Sequence, residues 1–188
     1  MPQRAVMSFP RAALIACLAL ASLSSGALAA ERYVYSYDPA SAAAKALTET
    51  GLSFEFEKGL MGGPRVRKII QTGEFGSADL KPASEAELGR GGVSAALGKE
   101  RPVGAIYEIM PRDEGKSFIH AVCPGSDRAW LLIGRLDRFR DLTVQAVGRK
   151  AADPAAHACP SLEFSFRSDL RLPGADVPDA RLLRGRGP

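Results

Sequence analysis

The chain has 188 residues, 46% of them hydrophobic, with 25 basic against 21 acidic side chains and a formal charge of +4. That length suits one domain with an ordinary buried core. So small a charge excess supplies no field to hold nucleic acid or an anionic membrane surface.

The N-terminus reads as an export signal. Arg4 and Arg11 form a basic start, residues 12–25 are an unbroken apolar and small-residue run, and Ala27-Leu28-Ala29 offers small residues where a signal peptidase cuts. The run is too short to span a bilayer. Cleavage is expected after Ala29, which makes residues 1–29 a signal peptide. It also removes two basic residues and no acid, leaving a charge of about +2. Leu14-Ile15-Ala16-Cys17 imitates a lipoprotein box, but its apolar stretch follows the cysteine instead of preceding it. The expectation is a periplasmic or secreted bacterial envelope protein with no stable membrane insertion once the signal is gone.

Residues 32–37 alternate, with Tyr33, Tyr35 and Tyr37 on one face, and predict a first strand. Asp38-Pro39 then suits a helix start, and Ala40, Ala43, Ala44 and Leu47 recur at helical spacing up to Gly51. Leu52–Lys58 alternates most clearly, with Leu52, Phe54 and Phe56 inward. A glycine-rich turn follows, lacking the spacing of a phosphate loop, and then a strand over 65–71. Folding these two strands together sets Glu57 opposite Arg65 and Glu55 opposite Arg67, but places Phe54 against Lys68. Residues 72–102 are glycine-rich. They show a capping box at Ser84 and Glu87 and a short helix over 93–97, and read as a surface excursion or a lid.

Strands are predicted over 103–110, 117–123, 130–136, 142–149 and 161–167, joined by short turn-rich loops. Short connections imply antiparallel neighbours. The strand beginning at Trp130 is apolar on both faces and should be covered on both. The expected fold is therefore α+β: a mostly antiparallel sheet, its C-terminal part a five-strand meander, with one N-terminal Ala-rich helix packed on it. A single domain over 30–171 precedes a Pro- and Gly-rich tail over 172–188.

Cys123 and Cys159 are the only cysteines beyond the signal. In the meander, Cys123 ends its strand at the sheet edge where the loop carrying Cys159 also lies, so a disulfide is expected in an oxidising compartment. A zinc site from His120, Cys123, His157 and Cys159 uses suitable ligand types, but His120 and Cys123 would point to opposite faces of one strand. No metal or cofactor is therefore expected. No nucleophile elbow, metalloprotease helix or dinucleotide fingerprint is present. Asp127, Arg128, Asp153 and His157 gather in loops at the same sheet end and are the candidate pocket residues. The functional expectation is a non-enzymatic binding protein with a protein or small-molecule partner. The alternative is a small periplasmic hydrolase using His157 with the loop carboxylates; Ser126 lies in the same loops, where a Ser-His-Asp cluster is far less common than polar turn residues.

Overall fold

The computed structural model describes residues 31–58, 63–71, 76–98, 104–153 and 155–172. The expected signal segment 1–29, the centre of the glycine-rich turn at 59–62 and the expected tail beyond Leu172 lie outside them.

Eight strands form a closed antiparallel barrel in sequence order. They are β1 (Glu31–Pro39), β2 (Leu52–Lys58), β3 (Arg65–Gln71), β4 (Ser77–Pro82), β5 (Ala105–Ile109), β6 (Arg128–Ile133), β7 (Leu142–Arg149) and β8 (His157–Leu172). Each strand pairs with the next, and β8 returns to pair with β1, Arg32 facing Leu172 and Pro39 facing Phe164. This corrects the α+β sheet with a five-strand meander. The strands from β5 onward are part of a ring that leaves no free edge. The helices are short: α1 (Ala42–Leu47), a 3₁₀ turn (Glu85–Leu88), α2 (Gly92–Leu97) and α3 (Gly115–Val122).

Period-two alternation fills the interior. Leu52, Phe54 and Phe56 of β2, Ala129, Leu131 and Ile133 of β6, and Leu142, Val144 and Ala146 of β7 are all buried in one core. The outward positions carry charge in cross-strand pairs: Arg32 with Glu55, Arg67 with Glu57, Lys68 with Asp79 and Arg128 with Glu108. Apolar inside and charged outside is the reverse of a membrane-spanning barrel, whose outer band is apolar.

The register of β2 on β3 resolves the conflict left by the sequence. Glu57 does face Arg65, but a bulge then puts Lys68 opposite Glu55 and Ile69 opposite Phe54. The extra residue lets Val66 and Ile69, three apart, both turn inward.

Two further expectations change. The segment 117–123, predicted as a strand, forms α3. Phe118, His120 and Val122 alternate, but Gly115, Phe118, Ile119 and Val122 also lie on one helical face, and these four are the buried ones. The helix closes one end of the barrel, with Phe118, Ile119 and Val122 in the interior core. Gly115 permits this approach, since a Cβ there would overlap the carbonyl of Met110. The second change is β4, which lies in the segment expected to be a surface excursion or a lid. Ala78 and Leu80 face the core, and its six residues complete the ring between β3 and β5.

Helix α1 starts later than Asp38-Pro39, which remain in β1. Ser41 is the cap, its hydroxyl accepting from the Ala44 amide at 3.2 Å. The helix packs against β8 at the same end of the barrel as α3, with Ala44 and Leu47 in the core. Its C-cap is Thr48; Gly51 instead starts the turn into β2 at φ +100°, close against the carbonyl of Tyr37.

The strand containing Trp130 is covered on both faces. Leu131 and Ile133 face the interior, whereas Trp130 and Leu132 join Ile106, Val147, Ala156, Leu88 and Val93 in a separate outer core. The 3₁₀ turn and α2 supply that cover. The capping box forms as expected, Glu87 accepting from the Ser84 amide at 3.0 Å and its hydroxyl at 3.3 Å. This bonding to the Ser84 amide holds the Glu87 carboxyl below the usual carboxylate range. A parallel bridge between Arg90 and Ala155 straps the segment to the loop before β8. The guanidinium groups of Arg128 and Arg149 lie 4.8 and 5.3 Å from the Trp130 ring centre. Residues 76–98 are thus wall and outer cover.

Trp130 is fully buried although it lies outside the barrel. Trp130→Ala should destabilise the protein by about 3–5 kcal/mol, measured as a lowered midpoint in urea unfolding. Phe139→Ala, at a site 72% exposed, should shift that midpoint by far less.

Candidate functional site

The two ends of the barrel differ in chemistry. At the plugged end, Cys123 terminates α3 and Cys159 lies near the start of β8. Their α-carbons are 5.4 Å apart and the pair forms a disulfide. The expected pairing is therefore present, but not by the route expected. Cys123 reaches the rim as the C-cap of a plugging helix, not as the last residue of a strand.

His157, the first residue of β8, sits beside this disulfide. Its Nε2 is 3.7 Å from Cys123 Sγ and 3.2 Å from Ser126 Oγ, and the Ser126 hydroxyl donates to Cys123 Sγ at 3.2 Å. Ser126 is fully buried. Gly148 of β7 passes directly over this group, and a Cβ there would overlap both Ser126 Oγ and Cys123 Sγ.

Of the predicted pocket residues, Asp127, Arg128 and Asp153 come together. With Arg149 and Lys150 they line a depression of about 350 Å³. His157 is not among its lining residues. Asp127 accepts from the Ala151 amide at 2.6 Å and Asp153 from the Ala155 amide at 2.8 Å. Both carboxylates thus fasten the 150–155 loop, and among the described residues none bonds to the imidazole. Ser126 and His157 meet without an acid to orient the ring, which a triad requires. His120 is exposed on α3 and is not grouped with Cys123, His157 and Cys159, so the four-ligand zinc arrangement does not assemble.

The opposite end, where β1 begins and β6 ends, is apolar and aromatic. The helices described pack elsewhere, α1 and α3 at the plugged end and α2 on the outer face. A cavity of about 290 Å³ is lined here by Pro64, Val66, Ala105, Tyr107, Ile133 and Leu136, with Gly63, Gly104, Gly134 and the charged Arg135. Its origin is the shortness of β4. The pairing of β3 with β4 covers only Lys68, Ile69 and Ile70, so the first residues of β3 pair with β2 on one side but have no ladder partner on the β4 side. The Tyr107 hydroxyl reaches across from β5 and accepts from the Val66 amide at 3.2 Å.

Next to Val66 stands Phe56, its partner in β2. From it a chain of aromatic contacts runs on beside the cavity, outside its immediate lining. Phe56 stacks on Tyr33 and meets Tyr35 edge-on, Tyr35 meets Phe166, and Phe166 meets Phe139. Phe139 is held at φ +63°, unusual for a bulky residue, and is 72% exposed. Deeper in, Tyr37 is fully buried and its hydroxyl has no hydrogen-bond partner among the described residues. Burial pushes the phenol of Tyr37 well above its ordinary range, and that of Tyr35 upward too.

Sequence reasoning did not single out this end. The alternating Tyr33, Tyr35 and Tyr37 were visible, but their convergence with Phe56, Phe166 and Tyr107 depends on closure of the ring. Neither a protein-family model, nor a curated protein, nor a solved structure matches the chain. The class that fold and sites define is a disulfide-stapled, eight-stranded antiparallel barrel with one plugged and one aromatic-lined end.

The disulfide closes a loop of 36 residues. Replacing Cys123 and Cys159 together by serine should lower stability by about 4 kcal/mol on the chain-entropy estimate, measured by urea unfolding against the oxidised parent.

Proposed function

We propose that this protein is a non-enzymatic binding protein of the bacterial cell envelope. Its barrel takes one small apolar or aromatic molecule at the mouth lined by Val66, Tyr107 and Ile133, beside the Tyr33–Phe56–Phe166 chain. The observation that carries this reading is the conjunction of an apolar cavity with half-buried aromatics at one end of a closed barrel. Eight-stranded barrels have interiors just wide enough to be filled by side chains or to hold one small ligand. At about 290 Å³ the cavity is near the lower limit for ligand sites, which favours a compact aromatic compound over a long chain.

Two hydroxyls give such a ligand polar handles. Tyr107 is at the rim, and Tyr37 lies within the core without a partner. A buried phenol left unbonded is costly, about 1–3 kcal/mol. A ligand bearing an acceptor recovers that cost. Residence in the periplasm or outside the cell is supported by the disulfide and by the signal-like first 29 residues. A catalytic role for His157 loses support because Asp127 and Asp153 bond to backbone amides.

The uncharged fluorophore N-phenyl-1-naphthylamine tests the proposal. Its emission should rise saturably at one site per chain and be displaced by small aromatic alcohols. Phe139→Ala should weaken binding a few-fold, in line with about 0.5–1.5 kcal/mol for an aromatic contact. Leu136→Arg, which puts a charge in the mouth, should abolish it. Absence of saturable binding, or binding indifferent to both substitutions, defeats the reading.

A further inference from the structure

The rim of the plugged end holds donors of a second kind. One ligand atom each from Cys123, His157 and Cys159 lie within 4.8 Å of one another. We propose that, once a dithiol reductant opens the Cys123–Cys159 bridge, these three residues bind a thiophilic metal ion, Zn²⁺ or Cu⁺. The Ser126 hydroxyl or a water takes any remaining position. This inference is independent of the aromatic mouth, which lies at the other end of the barrel.

The chemistry balances without further reagents. The dithiol gives two electrons, the S–S bond breaks, two protein thiols form and the reductant departs as its own disulfide. Metal binding then releases the two thiol protons to solvent, while the imidazole binds as its neutral form. Two thiolates and an imidazole are a soft set, which selects Zn²⁺ or Cu⁺ over Mg²⁺ or Ca²⁺.

Geometry supports the set. Metal–sulfur and metal–nitrogen lengths of about 2.3 and 2.0–2.1 Å place the donors of a tetrahedral site roughly 3.3–3.8 Å apart. Nε2 of His157 is already 3.7 Å from Cys123 Sγ, and Ser126 Oγ is 3.2 Å from each of them. The Cys123 and Cys159 α-carbons, 5.4 Å apart, leave the separated sulfurs able to reach that spacing by side-chain rotation. Three different segments supply the donors: the end of α3, the turn before β6 and the start of β8. Their approach requires the missing side chain of Gly148, which β7 holds against Cys123 and Ser126. The zinc site that the sequence suggested fails because it needs His120, but the trio with His157 does not.

Cobalt titration of the full chain under anaerobic conditions tests this. The reduced protein should take up one Co²⁺ with a near-ultraviolet thiolate-to-metal charge-transfer band, bleached by one equivalent of Zn²⁺, and the oxidised protein should give no band. His157→Ala should weaken Co²⁺ binding at least tenfold while leaving the far-ultraviolet circular dichroism of the oxidised form unchanged. Cys159→Ser should remove about half the charge-transfer intensity. If reduction unfolds the chain, Zn²⁺ should restore the native circular dichroism. No charge-transfer band, affinity unchanged in His157→Ala, or a reduced unfolded chain that Zn²⁺ does not refold would each overturn the proposal.

Discussion

Pairing of β8 with β1 is the constraint from which the rest of this structure follows. Once Arg32 lies opposite Leu172 and Pro39 opposite Phe164, every strand has two neighbours. Each inward side chain must then find its partners across a barrel interior of set width. Leu52, Phe54, Leu131, Val144, Leu162 and Phe164 meet there although they come from four separate strands. On the outside, ion pairs run from strand to strand, and the Trp130 face is a buried apolar exception. That exception needs its own cover, and the 3₁₀ turn and α2 provide it.

Ring closure also creates two ends, and the chain treats them differently. One is filled by α3, whose Phe118, Ile119 and Val122 enter the core and whose C-terminus is tied to β8 by the disulfide. The bridge therefore joins the plug to the wall. The opposite end has no such plug among the described residues. Its wall is thinned where β4 stops early, and Tyr107 spans the gap with a hydroxyl in place of a strand. Reactive sulfur and imidazole thus lie at the closed end, while apolar and aromatic surface lies at the other. Any binding at one end is physically separated from thiol chemistry at the other.

Much of this was legible in the chain itself. Local periodicity marks β1, β2, β3 and β7 because a half-buried strand must alternate, and Ser84 with Glu87 marks a helical start because that pair satisfies its own amides. The two-sided apolar strand at Trp130 announces that something must cover each face. Two thiols beyond a signal-like leader lead to the expectation of a disulfide. Each of these readings rests on neighbours within a few residues or on composition.

The remainder was decided by contacts between distant segments. Residues 117–123 satisfy both the period of a strand and that of a helix, and only the need to close a barrel end selects the helix. β4 is too short and too polar to declare itself, and is a strand because β3 and β5 stand on either side of it. A bulge at Arg67 shifts the register of β3 so that Ile69, not Lys68, meets Phe54. The aromatic mouth and the Cys123–His157–Ser126 cluster likewise join residues far apart in sequence. Sequence order alone carries the alternation, the caps and the sulfurs. Which faces converge is settled only when the last strand returns to the first, because closure converts separate local patterns into one shared interior.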